Sequence, residues 1–153
     1  MLAGTTPVLV HNCPTISAEA REHVLDGVVT DDGRFGGWHL HPDQTGGIPE
    51  NRFINGELVT GTDGTVRVNG TVGARLENGQ TVQKVATAGH TFFPANWTAE
   101  DIMAAGEHLF ANGTYRRGGT MARGEFRGVK MTGFLEKMAD GAYTPSTFFP
   151  VGK

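Results

Sequence analysis

Glycine placed beside Asn or Asp is the feature that most constrains the fold of this chain. The sequence has 153 residues, of which 23 are glycine. Within residues 57–87, Asp63-Gly64 and Asn78-Gly79 separate β-branched runs, which predicts two-residue hairpin turns between short antiparallel strands. The same signal recurs where two more strands are expected: about 124–135 and 142–149, joined near Asp140-Gly141.

Two helices are expected among these strands. The first should begin after Ser17, a favourable N-cap, and end at Gly27. The second should begin after Thr98 and run to about Ala111, before an Asn-Gly pair. Since helices and strands are segregated along the chain, the predicted class is α+β, with an N-terminal helix and antiparallel sheet.

The first 13 residues differ from the rest. A short apolar run, residues 7–10, leads into His11-Asn12-Cys13. An Asn side chain can cyclise onto its own carbonyl and break the chain, although an ordinary edge strand also fits these residues. The segment resembles the end of Hint or pretoxin modules, which precede toxin domains. We therefore expect residues 1–13 to be the tail of such a processing region and 14–153 to be one domain. The upstream half of the module is not in this sequence, so no self-cleavage is expected.

Charge and composition exclude several classes of protein. The formal net charge of −3 argues against a general nucleic-acid coat protein, yet leaves room for an enzyme with a local basic patch. The single cysteine, Cys13, excludes an internal disulfide framework. No segment is long and apolar enough to cross a membrane, and no signal peptide is visible.

The six histidines are the candidate chemical groups. Histidine can accept and donate a proton near neutral pH, which suits general acid–base catalysis. His39 and His41 flank Leu40 and would share a face in a strand, so a metal site completed by Asp43 or His90 is an open alternative. His108, within the second predicted helix, is expected to be structural or solvated.

Five segments together resemble the EndoU ribonuclease family, and its bacterial toxin branch in particular. In chain order they are residues 21–27 (REHVLDG), 36–43 (GGWHLHPD), 89–98 (GHTFFPANWT), 128–131 (GVKM) and 147–150 (TFFP). The matches run from about residue 20 to 150, which is nearly the whole chain after the predicted boundary.

The resemblance implies an EndoU/RNase A-like fold and an endoribonuclease without cofactor or obligatory metal. Such enzymes cut RNA, tRNA being one candidate, by attack of the 2′-OH, and they leave a 2′,3′-cyclic phosphate. By position, His23 and His39 would be the acid–base pair and Thr147 the hydroxyl that positions the phosphate. Ser146 is the nearest alternative to Thr147, but alternation along a strand would place the two on opposite faces.

The sequence departs from the family at one site position. His90 stands where the family has a lysine that stabilises the phosphate. A protonated His90 would do the same work, or Lys84 would substitute for it. His41 is an extra histidine for which a substrate contact is the expected role.

A local excess of positive charge is the last feature. Five basic residues, opposed only by Glu125, occupy the segment from 115 to 130: Arg116, Arg117, Arg123, Arg127 and Lys130. This segment is a candidate groove for the RNA backbone, with Arg127 and Lys130 as substrate-binding residues; a solvated loop face fits equally well. Phe35 and Trp38 would stack on a base or, as such aromatics more often do, belong to the core.

The resulting hypothesis is a ribonuclease domain of a larger secreted toxin, delivered into a competing bacterium and neutralised by a cognate immunity protein. Two alternatives stay open. One is a metal-dependent nuclease using His39 and His41, and the other is a non-catalytic RNA-binding module with the same fold.

Overall fold

The fold is α+β, as predicted. The computed structural model describes residues 15–84 and 89–151. This part of the chain contains two helices, α1 (Ala18–Leu25) and α2 (Ala99–Asn112). It also contains these strands: β1 (Val28–Val29), β2 (Phe35–Gly36), β3 (Arg52–Thr60), β4 (Val66–Arg75), β5 (Thr81–Gln83), β6 (His90–Phe92), β7 (Thr114–Arg116), β8 (Met121–Phe126), β9 (Val129–Lys137) and β10 (Tyr143–Pro150).

Every strand pair in the described part of the chain is antiparallel. β1 and β2 form a small two-stranded sheet. β3, β4 and β5 form a second sheet, in which β6 also pairs with β4. The third sheet, which we name the C-terminal sheet, has the strand order β10-β9-β8-β7.

Both helices begin where their caps predict. The Ser17 side chain accepts a hydrogen bond from the backbone N–H of Ala20, 3.1 Å away. Thr98 and Asp101 form a capping box at the start of α2, in which each side chain accepts from the other residue's backbone N–H. Caps of this kind satisfy N–H groups that have no partner inside the helix, so they fix the first turn.

The predicted hairpins are present, but their loops have three residues rather than two. In the β4–β5 connection, the N–H of Leu76 donates to the carbonyl of Gln80, and that of Gly79 donates to Leu76. Gly79 has φ +86°, the left-handed conformation that a type I turn with a third loop residue requires. The β3–β4 connection repeats this arrangement with Gly64 at φ +88°.

The expectation of one strand over 124–135 is wrong. A two-residue turn at Arg127-Gly128 divides this segment into β8 and β9, with Phe126 paired to Val129. Arg127 has φ +52° and Gly128 φ +81°, and a hairpin turn with both central residues at positive φ is the type I′ turn. Arginine is an unusual residue at the first of these positions, which is why the sequence did not indicate the turn.

Two apolar clusters form the core. The larger lies between α2 and the C-terminal sheet and includes Phe93, Phe110 and Phe148. The smaller lies against β4 and β6 and contains Phe35 and Trp38, both almost fully buried. These two aromatic residues therefore belong to the core rather than to a stacking surface.

The segment after β2 is joined directly to the end of α1. The N–H of Trp38 donates to the carbonyl of His23 at 3.0 Å, and the N–H of His39 donates to that of Val24 at 2.6 Å. Gly37 permits this approach: it has φ +81°, and a Cβ atom added to it would lie 1.8 Å from the carbonyl oxygen of His23. Glycine is therefore required where the chain passes the helix end.

Replacing Gly37 tests this joint. Gly37→Ala should lower the free energy of unfolding by several kcal/mol, because the methyl group overlaps the His23 backbone. Gly33→Ala is the matched control: φ is +83° there, and no atom lies within 4 Å of the added Cβ. It should lose only about 1 kcal/mol. Urea unfolding measures both, and similar losses would contradict the close approach at Gly37.

Candidate active site

A cleft of about 600 Å³ lies between α1 and the end of the C-terminal sheet where β9 and β10 join. Residues from both sides line it: Ser17, Glu19, Ala20, Glu22, His23 and Val28 on one, and Glu136, Met138, Thr144, Pro145, Ser146 and Thr147 on the other. The cleft therefore brings the predicted residues His23, Ser146 and Thr147 together.

His23 sits at the last turn of α1 with its ring over Gly36. A Cβ atom added to Gly36 would lie 3.1 Å from Cε1 of the ring, so the β2 glycine leaves room for the imidazole. Burial, reinforced by the positive charge of Lys84, lowers the pKa of His23. The residue lines the cleft, and its ring makes no hydrogen bond to the described residues.

His39 is held behind His23 by the backbone of β6. Its Nδ1 lies 2.6 Å from the carbonyl oxygen of Thr91, and its own carbonyl accepts from the N–H of Phe93. Because a carbonyl only accepts, Nδ1 carries the proton in the neutral ring, and Nε2 keeps its lone pair.

Nε2 of His39 also remains open. The residue is only 3% exposed, and Nε2 has no hydrogen-bond partner among the described residues. Burial, reinforced by the positive charge of Lys84, lowers the pKa of His39 well below its usual value, against a smaller opposing effect of the Thr91 carbonyl. His39 is thus a neutral proton acceptor at pH 7.

Lys84 and His90 form a pair beside these two histidines. Nζ of Lys84 lies 2.9 Å from Nδ1 of His90 and 3.3 Å from the carbonyl oxygen of Gly37. Nε2 of His90 lies 2.5 Å from the carbonyl oxygen of Trp38, so it carries the ring proton and Nδ1 accepts from the ammonium. The His90 ring is also stacked on His39, with centroids 4.9 Å apart.

The idea of a protonated His90 does not fit this geometry. Burial, reinforced by the Lys84 charge, lowers the pKa of His90 to about 3, so the ring is neutral at physiological pH. Lys84 supplies the positive charge instead, with a pKa that burial lowers to about 8. The structure therefore places a lysine in the cluster from the end of β5, rather than from the position of residue 90.

Ser146 and Thr147 do not obey strand alternation. A β-bulge interrupts the pairing of β9 with β10 between Pro145 and Thr147, and Ser146 is the extra residue. Its hydroxyl donates to the carbonyl of Phe134 at 3.1 Å. Both residues consequently line the cleft, and the expectation that they lie on opposite faces is wrong.

His41 shares no hydrogen bond with this cluster; its ring lies against Phe92, which also contacts the His90 ring. His41 is 8% exposed, and its Nδ1 accepts a hydrogen bond from the N–H of Asp43. Through this bond the His41 side chain caps the one-turn helix that begins at Pro42. His39 and His41 are not in a strand, and their rings contact different neighbours, Phe149 and Phe92 respectively. Within residues 15–84 and 89–151, no group of three or more His, Cys, Asp or Glu side chains is placed to hold a metal ion.

Arg127 and Lys130 do not line the cleft. Arg127 forms an ion pair with Asp101 at 3.0 Å and lies over the Phe126 ring. Lys130 lines a different cavity, on the outer part of the C-terminal sheet.

Sequence reasoning missed two residues around His39. Thr91 acts through its backbone carbonyl, which no side-chain pattern reveals, and its hydroxyl donates to the carbonyl of Pro150. Phe149 lies with its ring 5.7 Å from that of His39. The match at residues 147–150 covered Phe149 but assigned it no role.

The cluster has the groups that phosphodiester cleavage by acid–base chemistry needs. His23, Ser146 and Thr147 line one cleft of an α+β fold. His39 and Lys84 are connected to the same end of α1 through the backbone of residues 37–39. Two histidines, a lysine and a hydroxyl group held together in this way are suited to the chemistry of a nuclease. The profile of a family described as bacterial EndoU nuclease matches residues 17–152. The chain therefore belongs to the bacterial EndoU nuclease family, and its substrate is nucleic acid. Neither a curated protein nor a solved structure matches it.

The family match does not bear on two further predictions, the domain boundary and the absence of a membrane-spanning segment. The predicted boundary near Asn12 falls outside the described residues and stays a prediction. Neither helix of the described chain is long and apolar enough to span a membrane.

Burial of His90 should make stability depend on pH. The unfolded chain binds a proton as the pH falls below about 6.5, whereas the folded ring resists it down to about 3. The contribution of His90 to the free energy of unfolding is therefore complete above pH 6.5 and is lost as the pH falls towards 3. The loss is on the order of a few kcal/mol.

The variant that checks this dependence is His90→Gln, whose amide can donate and accept but does not titrate. Its free energy of unfolding in urea should fall less between pH 7 and pH 4 than that of the parent. His108→Gln, on the exposed side of α2, is the control and should leave the dependence unchanged. Equal pH dependence in His90→Gln and the parent would contradict a neutral, buried His90.

Proposed function

We propose that this domain is a metal-independent endoribonuclease that cuts RNA by attack of the 2′-OH on the adjacent phosphate. The observation that carries the proposal is the state of His39. One nitrogen is fixed as a donor to Thr91, and the other is left as an open acceptor beside His23 and Lys84. The family match supports nuclease activity. We propose RNA as the substrate because a general base and a general acid are sufficient without a metal when the nucleophile is the neighbouring ribose hydroxyl.

The two histidines take different roles. Nε2 of His39 removes the proton from the 2′-OH, because its neutral form is the one that burial favours. The 2′-oxygen then bonds to phosphorus, and the bond from phosphorus to the 5′-oxygen breaks. His23, which is less buried and has no partner among the described residues, gives a proton to the departing 5′-oxygen. The products are a 2′,3′-cyclic phosphate and a free 5′-OH.

Lys84 and Thr147 act on the phosphate. The Lys84 ammonium stabilises negative charge that grows on the non-bridging oxygens in the transition state. Thr147, on the other wall of the cleft, donates a hydrogen bond that holds the phosphate, whereas the only hydroxyl proton of Ser146 is used in its bond to the carbonyl of Phe134. His90 does not touch the substrate; it is a positioning residue that accepts from Lys84 and aims its ammonium.

The biological setting is part of the same proposal. A nuclease preceded by a processing-type segment fits the toxic domain of a larger secreted protein, delivered into the cytoplasm of a competing bacterium. Such an enzyme requires an immunity protein in the producing cell, and tRNA is a candidate target.

The first test is incubation with total bacterial RNA in excess EDTA, followed by analysis of the new ends. The parent should give 2′,3′-cyclic phosphate ends. His23→Ala and His39→Ala should each lose about 10²- to 10⁴-fold in rate, the usual contribution of general acid–base catalysis. His108→Ala, remote in sequence and exposed, should retain the parent rate.

The alternatives give different results in that experiment. Activity that appears only when a metal ion is added back would support a metal-dependent nuclease. RNA binding without cleavage would indicate a binding module. Full activity in both His23→Ala and His39→Ala would refute the assigned site.

The pH dependence of the rate provides a separate test of Lys84. The rate should already decline above the pKa of His23, and the decline should steepen near pH 8, because Lys84 then loses its charge. Lys84→Arg keeps a cation at every accessible pH and should remove the steepening, even if its rate at neutral pH is lower. Lys84→Ala should be slow throughout. Steepening that persists in Lys84→Arg would exclude Lys84 as its source.

A further inference from the structure

One face of the C-terminal sheet connects the candidate active site to a second cleft. Direct cross-strand partners share a face of a sheet, so the register defines two rows that cross all four strands. The first row is Arg116, Met121, Phe134 and Thr147, from β7 to β10. The second is Thr114, Arg123, Thr132 and Phe149. Each row begins at the cationic edge and ends beside the catalytic cluster.

The second cleft, the cationic cleft, has a volume of about 480 Å³. Its charged residues are Arg116, Arg123 and Lys130 together with Glu125, which gives a local charge of +2 in a chain whose net charge is −3. Thr114 and Thr132 add hydroxyl groups to its walls. Phosphate oxygens are the ligands that such a mixture of cations and hydroxyl donors binds.

The cations of this cleft are free of ion pairs to the described carboxylates, whereas Arg21, Arg34 and Arg127 are each paired. Arg116, Arg123 and Lys130 are also all exposed. Their charges therefore act mainly on whatever enters from solvent.

Two half-buried aromatic rings separate the cationic cleft from the catalytic cluster. Phe134 and Phe149 lie 6.0 Å apart, and Phe149 also contacts His39. Two strand spacings, about 10 Å, separate Arg123 from Phe149 along their row. A positive groove beside aromatic rings is the combination that binds single-stranded nucleic acid, with bases stacked and the backbone held by charge.

We infer that the cationic cleft is a phosphate-binding subsite for single-stranded RNA flanking the cleaved bond, with the strand crossing Phe134 and Phe149 to reach it. This inference rests on the proposed ribonuclease function and adds the path of the substrate beyond the reacting phosphate. The subsite contributes binding of long RNA and nothing to the chemical step.

Comparison of a short and a long substrate tests the subsite. Arg123→Ala/Lys130→Ala should lower kcat/KM for a long single-stranded RNA roughly tenfold or more, mainly through KM. Cleavage of a dinucleotide, which cannot reach the cationic cleft, should be unchanged and also shows that the variant is folded. Arg34→Ala removes one positive charge in the β1–β2 turn, so it is the control for the single variant Arg123→Ala, and it should behave like the parent.

Each failure has a distinct meaning. If the parent cleaves neither substrate, the proposed function fails. If the parent cleaves both and the double variant retains the parent's kcat/KM for long RNA, the subsite is refuted while the ribonuclease stands. An equal loss in Arg34→Ala would also refute the subsite, because the effect would then come from overall charge.

Binding of a non-cleavable 2′-O-methyl RNA gives an independent measurement. The slope of log Kd against log salt should decrease by about 0.7 for each phosphate contact that a variant removes. Glu125→Gln should bind more tightly than the parent, because Glu125 is the only acidic side chain among the described residues that line the cleft. Unchanged or weaker binding by Glu125→Gln would contradict an anionic ligand at this place.

Discussion

The three residues Gly37, Trp38 and His39 form the joint on which the candidate active site depends. Their backbone forms hydrogen bonds to the last turn of α1 through His23 and Val24, and to Phe93, the residue after β6. Two side chains complete the joint: His90, in β6, donates to the carbonyl of Trp38, and Lys84, directly after β5, donates to that of Gly37. Through these contacts one short irregular segment fixes three side chains that come from distant parts of the sequence. His39, Lys84 and His90 are each held by a backbone carbonyl, whereas the His23 ring is placed by its position in the last turn of α1.

The parts of the fold that sequence predicted are those with a local cause. Ser17 and Thr98 begin helices because their side chains replace missing helical partners, and Gly64 and Gly79 adopt a conformation that other residues avoid. The turn at Arg127-Gly128 was missed because an arginine holds a positive φ there, where stability comes from pairing β8 with β9 rather than from local preference.

The same distinction, between features with a local cause and features set by tertiary contacts, applies to the candidate active site. Resemblance placed His23, His39 and Thr147 near one another, since motif positions carry that information. It could not reveal that Thr91 fixes the tautomer of His39, because the contact is made by a carbonyl 52 residues away. Nor could alternation account for Ser146, because a bulge is a property of two paired strands and not of one.

His90 stands where the family has a lysine, and Lys84 supplies the positive charge from another position; this arrangement has an electrostatic consequence. Lys84 is partly buried among His23, His39 and His90, and none of these is an anion, so burial disfavours its charge and lowers its pKa to about 8. Entry of a phosphate would supply the missing opposite charge and raise that pKa again. In the proposed mechanism, the full interaction with Lys84 therefore forms only when the anion is present, and it strengthens as negative charge accumulates on the phosphate oxygens. A cation held by a neutral histidine would be available to stabilise that transition state, because no carboxylate of the described residues is paired with it.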